Sequence, residues 1–278
     1  IAGNTAVRDC VNGNVTGNLS GLVTSGFPPY TFGPTGATVG GSSTVNPSGI
    51  FSFTANNGFS GNGGFQYQVT DSNNCSATGA VNVTVASPSA GSTSARSCVN
   101  ASVTGNLLPL VTGGFGAPYT FSPTGASPAC GNVTISSTGL FTFIPNPGFS
   151  GACPFGYQVS DVNGCAATGQ VTVDVSSPIA ANTGLSICLN GATRGNLSGL
   201  VTSGFPPYIF GPTGAVAGGS ASVGSTGLFS YTANTGFSGN GGFAYQVSDS
   251  NNCVATGSVN IFVDSLFANN FTATVCGD

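Results

Sequence analysis

Residues 17–30, GNLSGLVTSGFPPY, recur letter for letter at residues 195–208, and residues 105–119 carry the looser version GNLLPLVTGGFGAPY. A cysteine ahead of each copy stands at Cys10, Cys98 and Cys188, and again at Cys276, so successive spacings are 88, 90 and 88 residues. An alanine precedes each by eight positions: Ala2, Ala90, Ala180 and Ala268. Self-similarity at a fixed period describes architecture and outranks any local motif. The chain is three copies of one unit and the opening of a fourth. An array of this kind suits length, spacing or assembly.

Within each copy the pattern has period two. Residues 65–69 (FQYQV) and 81–85 (VNVTV) alternate apolar and polar, as do residues 51–53 (FSF). Such alternation with β-branched and aromatic residues predicts half-buried strands. Between them lie turn formers, as in residues 46–49 (NPSG), 56–58 (NNG) and 71–74 (DSNN). Glycine and asparagine there supply positive φ, and proline supplies a preset φ. No stretch sustains a 3.6-residue period, so helix content should be near zero. About seven short strands in roughly 90 residues is the size and rhythm of one small β-sandwich. The core of the first copy should hold Leu19, Leu22, Val23, Tyr30, Phe32, Phe51, Phe53, Phe59, Phe65, Tyr67, Val69, Val81, Val83 and Val85. The expectation is an all-β chain of three tandem Greek-key sandwich domains in a linear array, residues 1–87, 88–177 and 178–265. Residues 266–278 follow as a lone first strand. The boundaries fall at residues 87–89 (SPS) and 177–179 (SPI), and linkers of only two or three residues predict stiff coupling between neighbours.

The order of motifs supports a resemblance. VTGNL at residues 15–19, a glycine-punctuated aromatic segment at 47–61, FQYQVTDSNNC at 65–75 and the final valine strand at 81–85 all have counterparts in the other copies. This order resembles the tandem immunoglobulin-like or cadherin-like repeats of bacterial surface proteins. The resemblance implies an immunoglobulin-like fold, an extracellular setting and a role as stalk or fibre segment. Calcium-binding cadherin-like repeats carry clustered acidic residues at their junctions. This sequence has none, so calcium is not carried over.

Composition excludes most chemistry. The chain has no His, Lys, Glu, Met or Trp, and its charges are Arg8, Arg96 and Arg194 against seven aspartates, a net −4. General-base histidines, Schiff-base lysines and the usual nitrogen ligands of zinc are therefore missing. Three scattered arginines form no stripe that could neutralise phosphates, so nucleic acid is not an expected partner. No aspartate pair is spaced as the acid and base of a glycosidase, and no cofactor is expected. Asp71, Asp161 and Asp249 recur in an Asp-x-Asn-x-Cys motif, where turn capping is the expected role. No apolar run approaches the roughly 20 residues that span a bilayer. A start at Ile1 without methionine reads as a processed chain or a fragment.

Nine cysteines without histidine, in no C-x-x-C pair, predict a disulfide framework and an oxidising compartment. Cys130 and Cys153 replace glycines of the other copies and should pair with each other. Two frames are open to the rest. The within-repeat frame gives Cys10–Cys75, Cys98–Cys165 and Cys188–Cys253, leaving Cys276. The next-repeat frame gives Cys75–Cys98, Cys165–Cys188 and Cys253–Cys276, leaving Cys10. Loop entropy gives roughly 3 to 4 kcal/mol for either. The later cysteine precedes a strand of about ten residues, at about 3.3 Å each, so the next repeat's cysteine should lie well past the disulfide limit of about 7 Å between Cα atoms. That favours the within-repeat frame.

A cysteine left over at a chain end, and a lone first strand, both point outward. Ala268, Phe271, Val275 and Cys276, with Cys10 as the other candidate cysteine, are the expected assembly residues. They would join copies of this chain head to tail by strand addition or a terminal disulfide. Eight sequons, at Asn14, Asn18, Asn74, Asn82, Asn100, Asn132, Asn196 and Asn270, offer acceptors for covalent glycans. The expected function is a non-enzymatic subunit of a secreted, cell-surface filament or stalk. The alternative is an adhesin module that binds glycan or host surface through its loops.

Overall fold

The period-two segments become strands in every repeat of the computed structural model, which describes residues 1–265. Repeat 1 forms β1 (Thr5–Asp9), β2 (Asn14–Asn18), β3 (Thr31–Val39), β4 (Gly41–Val45), β5 (Ile50–Ala55), β6 (Gly61–Thr70) and β7 (Ser76–Val85). One sheet has the order β1-β7-β6-β3 and the other β2-β5-β4. The chain crosses between the sheets after β1, β2, β3 and β5, while β4–β5 and β6–β7 are hairpins within one sheet, which is the Greek-key immunoglobulin-like arrangement. Repeat 3 repeats it, with the first strand Thr183–Cys188 next to the last, Val254–Asp264. In repeat 2 the four-stranded order is Thr120–Pro123, Gly151–Ser160, Ala166–Val175, Thr93–Ser97. Among the described residues, helix is limited to three 3-10 turns, Ser20–Leu22, Leu108–Leu110 and Ser198–Leu200.

One pairing decides where the cysteines lie. β1 runs parallel to β7, with Thr5 opposite Val81 and Asp9 opposite Val85. In repeat 3, Thr183 stands opposite Val259 and Cys188 opposite Asp264, again in parallel. The first cysteine of a repeat is therefore level with the end of its last strand. The turn cysteine is level with that strand's beginning.

Alternation fills the core as the pattern predicts. Phe51, Phe53, Phe65, Tyr67, Val69, Val81, Val83 and Val85 are buried with Leu19 and Phe32, while Leu22, Val23, Tyr30 and Phe59 pack around them half-buried. Each large apolar side chain taken from water contributes about 1.5–3 kcal/mol. Tyr67 keeps its hydroxyl satisfied inside by donating to the Gly3 carbonyl at 2.7 Å, and Tyr157 and Tyr245 do the same to Gly91 and Ala181 at 2.6 and 2.7 Å. That bond ties the chain's entry segment across the mouth of each sandwich. Repeat 2 departs at one edge. Its strand Thr120–Pro123 has four residues where the counterparts Thr31–Val39 and Ile209–Ala217 have nine.

The described chain packs as two compact units, and repeat 2 contributes to both. One comprises Ile1–Ser94, Thr104–Phe143 and Pro154–Thr172. The other comprises Ala95–Val103, Ile144–Cys153 and the chain from Val173 onward. Each unit contains one junction between consecutive repeats.

Candidate functional site

The recurring chemistry is concentrated in the turn between the last two strands of each repeat. Asp161 Oδ1 accepts from the backbone N–H groups of Asn163 at 2.9 Å and Cys165 at 3.0 Å, and Oδ2 accepts from Phe115 N–H at 2.8 Å. Asp249 makes the same three bonds to Asn251, Cys253 and Phe205, and Asp71 makes them to Asn73, Cys75 and Phe27. One carboxylate thus shapes the turn and staples it to the neighbouring loop, as side-chain-to-backbone capping predicts. The residue before each cysteine is left-handed, with φ of 60° at Asn74, 80° at Gly164 and 61° at Asn252. Asparagine and glycine are the residues that enter this region readily. In repeat 1 these bonds, the Cys75 N–H foremost, hold the Asp71 carboxyl below its ordinary value.

The turn cysteines do not bond within their own repeats. Cys10 bonds Cys165 and Cys98 bonds Cys253, each pair 155 residues apart, with Cα separations of 5.3 and 5.4 Å. This corrects the within-repeat frame, Cys10–Cys75, Cys98–Cys165 and Cys188–Cys253, and the next-repeat alternative as well. The reason is the parallel pairing of β1 with β7. It sets Cys10 at the end of a ten-residue strand that begins beside Cys75, about 33 Å away at 3.3 Å per residue. The end of one repeat instead meets the turn of the following repeat. Cys10, expected as an assembly cysteine, is thereby committed inside the chain. Among the described residues Cys75 and Cys188 are free and exposed.

The surroundings of the two disulfides are built alike. In the first unit the linker segment Pro88–Ala90 pairs with Val111–Gly113 of repeat 2, and in the second Ile179–Ala180 pairs with Val201–Thr202 of repeat 3. A Cβ at Gly114 would lie 2.9 Å from Pro88 N and 2.6 Å from Asp161 Oδ2, and one at Gly204 would lie 2.8 Å from Pro178 N. Only glycine permits that approach, at φ of 72° and 84°. The guanidinium of Arg8 lies over the Phe115 ring at 5.1 Å, and that of Arg96 over Phe205 at 4.7 Å. Counted in the sequence only among three scattered arginines, both instead sit over a ring of the following repeat. The signal for their role was the shared offset, each arginine two residues before a junction cysteine. One difference stands out. Asp9 is buried, and its Oδ2 finds no hydrogen-bond partner among the described residues. Burial pushes its carboxyl above the ordinary value, against the lowering hydrogen bond from Cys10 N–H. The equivalent Ser97 donates its hydroxyl to the Ala101 carbonyl at 2.6 Å.

The remaining candidates fall as follows. Cys130 and Cys153 are both disulfide-bonded. The sequon residues Asn14, Asn18, Asn74, Asn82, Asn100, Asn132 and Asn196 are all exposed. Asn270 and the assembly residues Ala268, Phe271, Val275 and Cys276 lie outside the described residues. Among the described residues no group of three or more His, Cys, Asp or Glu is placed to hold a metal ion, and no helix is long and apolar enough to cross a membrane.

The sequence profile of the bacterial Ig domain matches three times in succession, over residues 5–84, 86–174 and 176–262. The chain belongs to the bacterial Ig domain family. No curated protein matches it. Among solved structures, the I-band fragment I67–I69 of titin is similar at 10% identity and a TM-score of 0.37, covering 95% of this chain and 96% of that one. The I9–I11 tandem of titin gives 9% identity and 0.35, with 95% and 97% covered. Drosophila N-cadherin EC1–4 gives 10% and 0.27, with 94% and 75% covered. Bacterial Ig repeats in tandem are structural or surface-protein modules, and an Ig-like tandem fold is typically non-enzymatic. Family and disulfides together are consistent with an extracellular protein.

Proposed function

We propose that this chain is a non-enzymatic load-bearing segment of an extracellular filament or cell-surface stalk. The observation that carries the reading is the pair of inter-repeat disulfides. A disulfide inside a domain stabilises that domain, whereas Cys10–Cys165 and Cys98–Cys253 bind each repeat to the one after it. A bond so placed does little for a soluble binding domain. It matters where neighbouring domains are pulled apart or must hold a fixed spacing. The aspartate staple serves the same end, because it anchors the bonded turn to a second loop. A surface of Ser, Thr, Asn and Gly, with few charges, would leave salt and pH little to act on outside the junctions. Head-to-tail association of copies, through residues 266–278 or by a disulfide, belongs to this reading, as do glycans on the exposed sequons.

The test is to isolate the native material from the cell surface and weigh it with and without reductant, alongside negative-stain electron microscopy. Filaments or long stalks of Ig repeats are expected. A monodisperse secreted monomer that binds a defined glycan would overturn the reading in favour of an adhesin. Its site would then be sought in the loop where repeat 2 departs, residues 124–130.

A further inference from the structure

The top of repeat 1 carries every acceptor feature of the two closed junctions and has no preceding repeat against it among the described residues. Its turn has the same aspartate bonds, the same left-handed residue and the same cysteine as the turns at Cys165 and Cys253. The difference is exposure. Cys165 and Cys253 are 1% and 2% exposed, whereas Cys75 is exposed. Phe27, equivalent to the rings beneath Arg8 and Arg96, is 64% exposed, while Phe115 and Phe205 are half-buried. A groove beside it is lined by Val23, Gly26, Tyr30, Asp71, Cys75 and Ala77.

The end of repeat 3 carries the matching donor feature. Cys188 stands opposite Asp264 at the close of a parallel ladder, as Cys10 follows the Asp9–Val85 pair. It is exposed, and so is its neighbour Leu189. The two cysteines that are free among the described residues are thus one donor and one acceptor of a joint that the chain closes twice internally.

We propose that the face of repeat 1 around Cys75 receives the Cys188 end of a second copy of this chain, closing a disulfide between Cys188 of one copy and Cys75 of the next. This rests on reading the chain as a filament segment. The oxidant is a small-molecule disulfide such as oxidised glutathione. The Cys75 thiolate attacks it and releases one glutathione thiolate. The Cys188 thiolate of the second copy then attacks the Cys75 sulfur and releases the other. Two cysteine thiols are oxidised, one glutathione disulfide is reduced, and the two protons end on the two glutathione thiols. The intermolecular joint differs from the internal ones at one position. Repeat 3 has Ser186 where repeats 1 and 2 have Arg8 and Arg96, so Phe27 gains no cation in this joint.

The experiment uses the 278-residue chain carrying Cys276→Ser, oxidised with glutathione disulfide and mapped by chymotryptic peptides under non-reducing conditions. A ladder linked Cys75 to Cys188 is expected. Cys75→Ser and Cys188→Ser should each stop it, and mixing those two variants should restore a dimer and nothing longer, at least tenfold above either alone. Adding Ser186→Arg should speed dimer formation about 2- to 5-fold by placing a cation over Phe27, and Phe27→Ala should remove the gain. As much dimer from either variant alone as from the mixture would overturn the joint, as would a rate indifferent to both the arginine and the phenylalanine. So would native material in which Cys75 is bonded to a preceding repeat of the same polypeptide. Native filaments that persist with both cysteines as serine would overturn the covalent joint and leave the filament reading standing. A native monomer whose chains still seat Cys188 on Cys75 in vitro would overturn the filament reading and leave the joint.

Discussion

The junction at Cys10 and the junction at Cys98 share a backbone plan and differ in what fills it. Both have the disulfide, the aspartate staple, the glycine against the linker proline and the arginine over a phenylalanine. They part at the residue before the first cysteine. Asp9 is buried with an oxygen that has no partner among the described residues, where Ser97 is buried and satisfied. The second junction also gains a bond between the hydroxyls of Ser176 and Ser203 at 3.0 Å, a position held in the first by Ala86 and Gly113. The shared parts specify the joint. The rest adjusts how stable each one is.

Removing the shared covalent part should have the largest effect. Replacing Cys10 and Cys165 together by alanine should cost about 2–5 kcal/mol, and replacing Cys98 and Cys253 should cost about the same. Scanning calorimetry would read both as lowered unfolding temperatures. A large loss at one junction with none at the other would break their equivalence.

The next effect sharpens the difference. Asp9→Asn should stabilise the first junction by about 1–3 kcal/mol at neutral pH, because it removes a buried charge that lacks a full set of partners. The folded value of Asp9 is raised, so its share of stability is present below the ordinary carboxylate value and lost as pH rises through the folded one. The variant's advantage should therefore shrink as pH falls toward about 4 and vanish below it. Ser97→Asp should impose the penalty on the second junction. Equal melting temperatures for Asp9→Asn and the parent at pH 7 would refute the assignment.

Smaller still, Arg8→Ala and Arg96→Ala should each cost about 0.5–1 kcal/mol, less at high salt. A loss confined to one of them would show that the rings are not equivalent supports. Repeat 1 gives the smallest effect. Asp71 has a depressed folded value, so its contribution is present above the ordinary carboxylate range and lost as pH falls through the lower folded value. The Cys75 and Phe27 amide resonances should titrate with a midpoint below about 3.9. A midpoint at or above that value would mean the staple is not formed in the uncovered turn.

Much of this was legible in the chain. Alternation in residues 65–69 and 81–85 assigned inward and outward faces correctly, because side-chain direction in a strand follows from position alone. Four residues expected in the core, Leu22, Val23, Tyr30 and Phe59, sit at its rim, since they lie in loops and turns where alternation does not apply. The turn aspartates were readable too, because their partners are two and four residues away. The arginines were not, since the rings beneath Arg8 and Arg96 lie more than a hundred residues further along.

The disulfide partners mark the boundary between the two kinds of information. By itself the sequence determined the period, the strands, the facing of each side chain and the number of cysteines in need of partners. Those properties are local or repetitive. The tertiary structure decided which end of the sandwich each cysteine occupies, because β1 joins β7 in parallel across some seventy residues of intervening chain. Strand direction comes from how two sheets close over one core, and no spacing in the sequence encodes it. With Cys10 and Cys75 at opposite ends of one domain, a bond could form only where the end of one repeat meets the turn of the next.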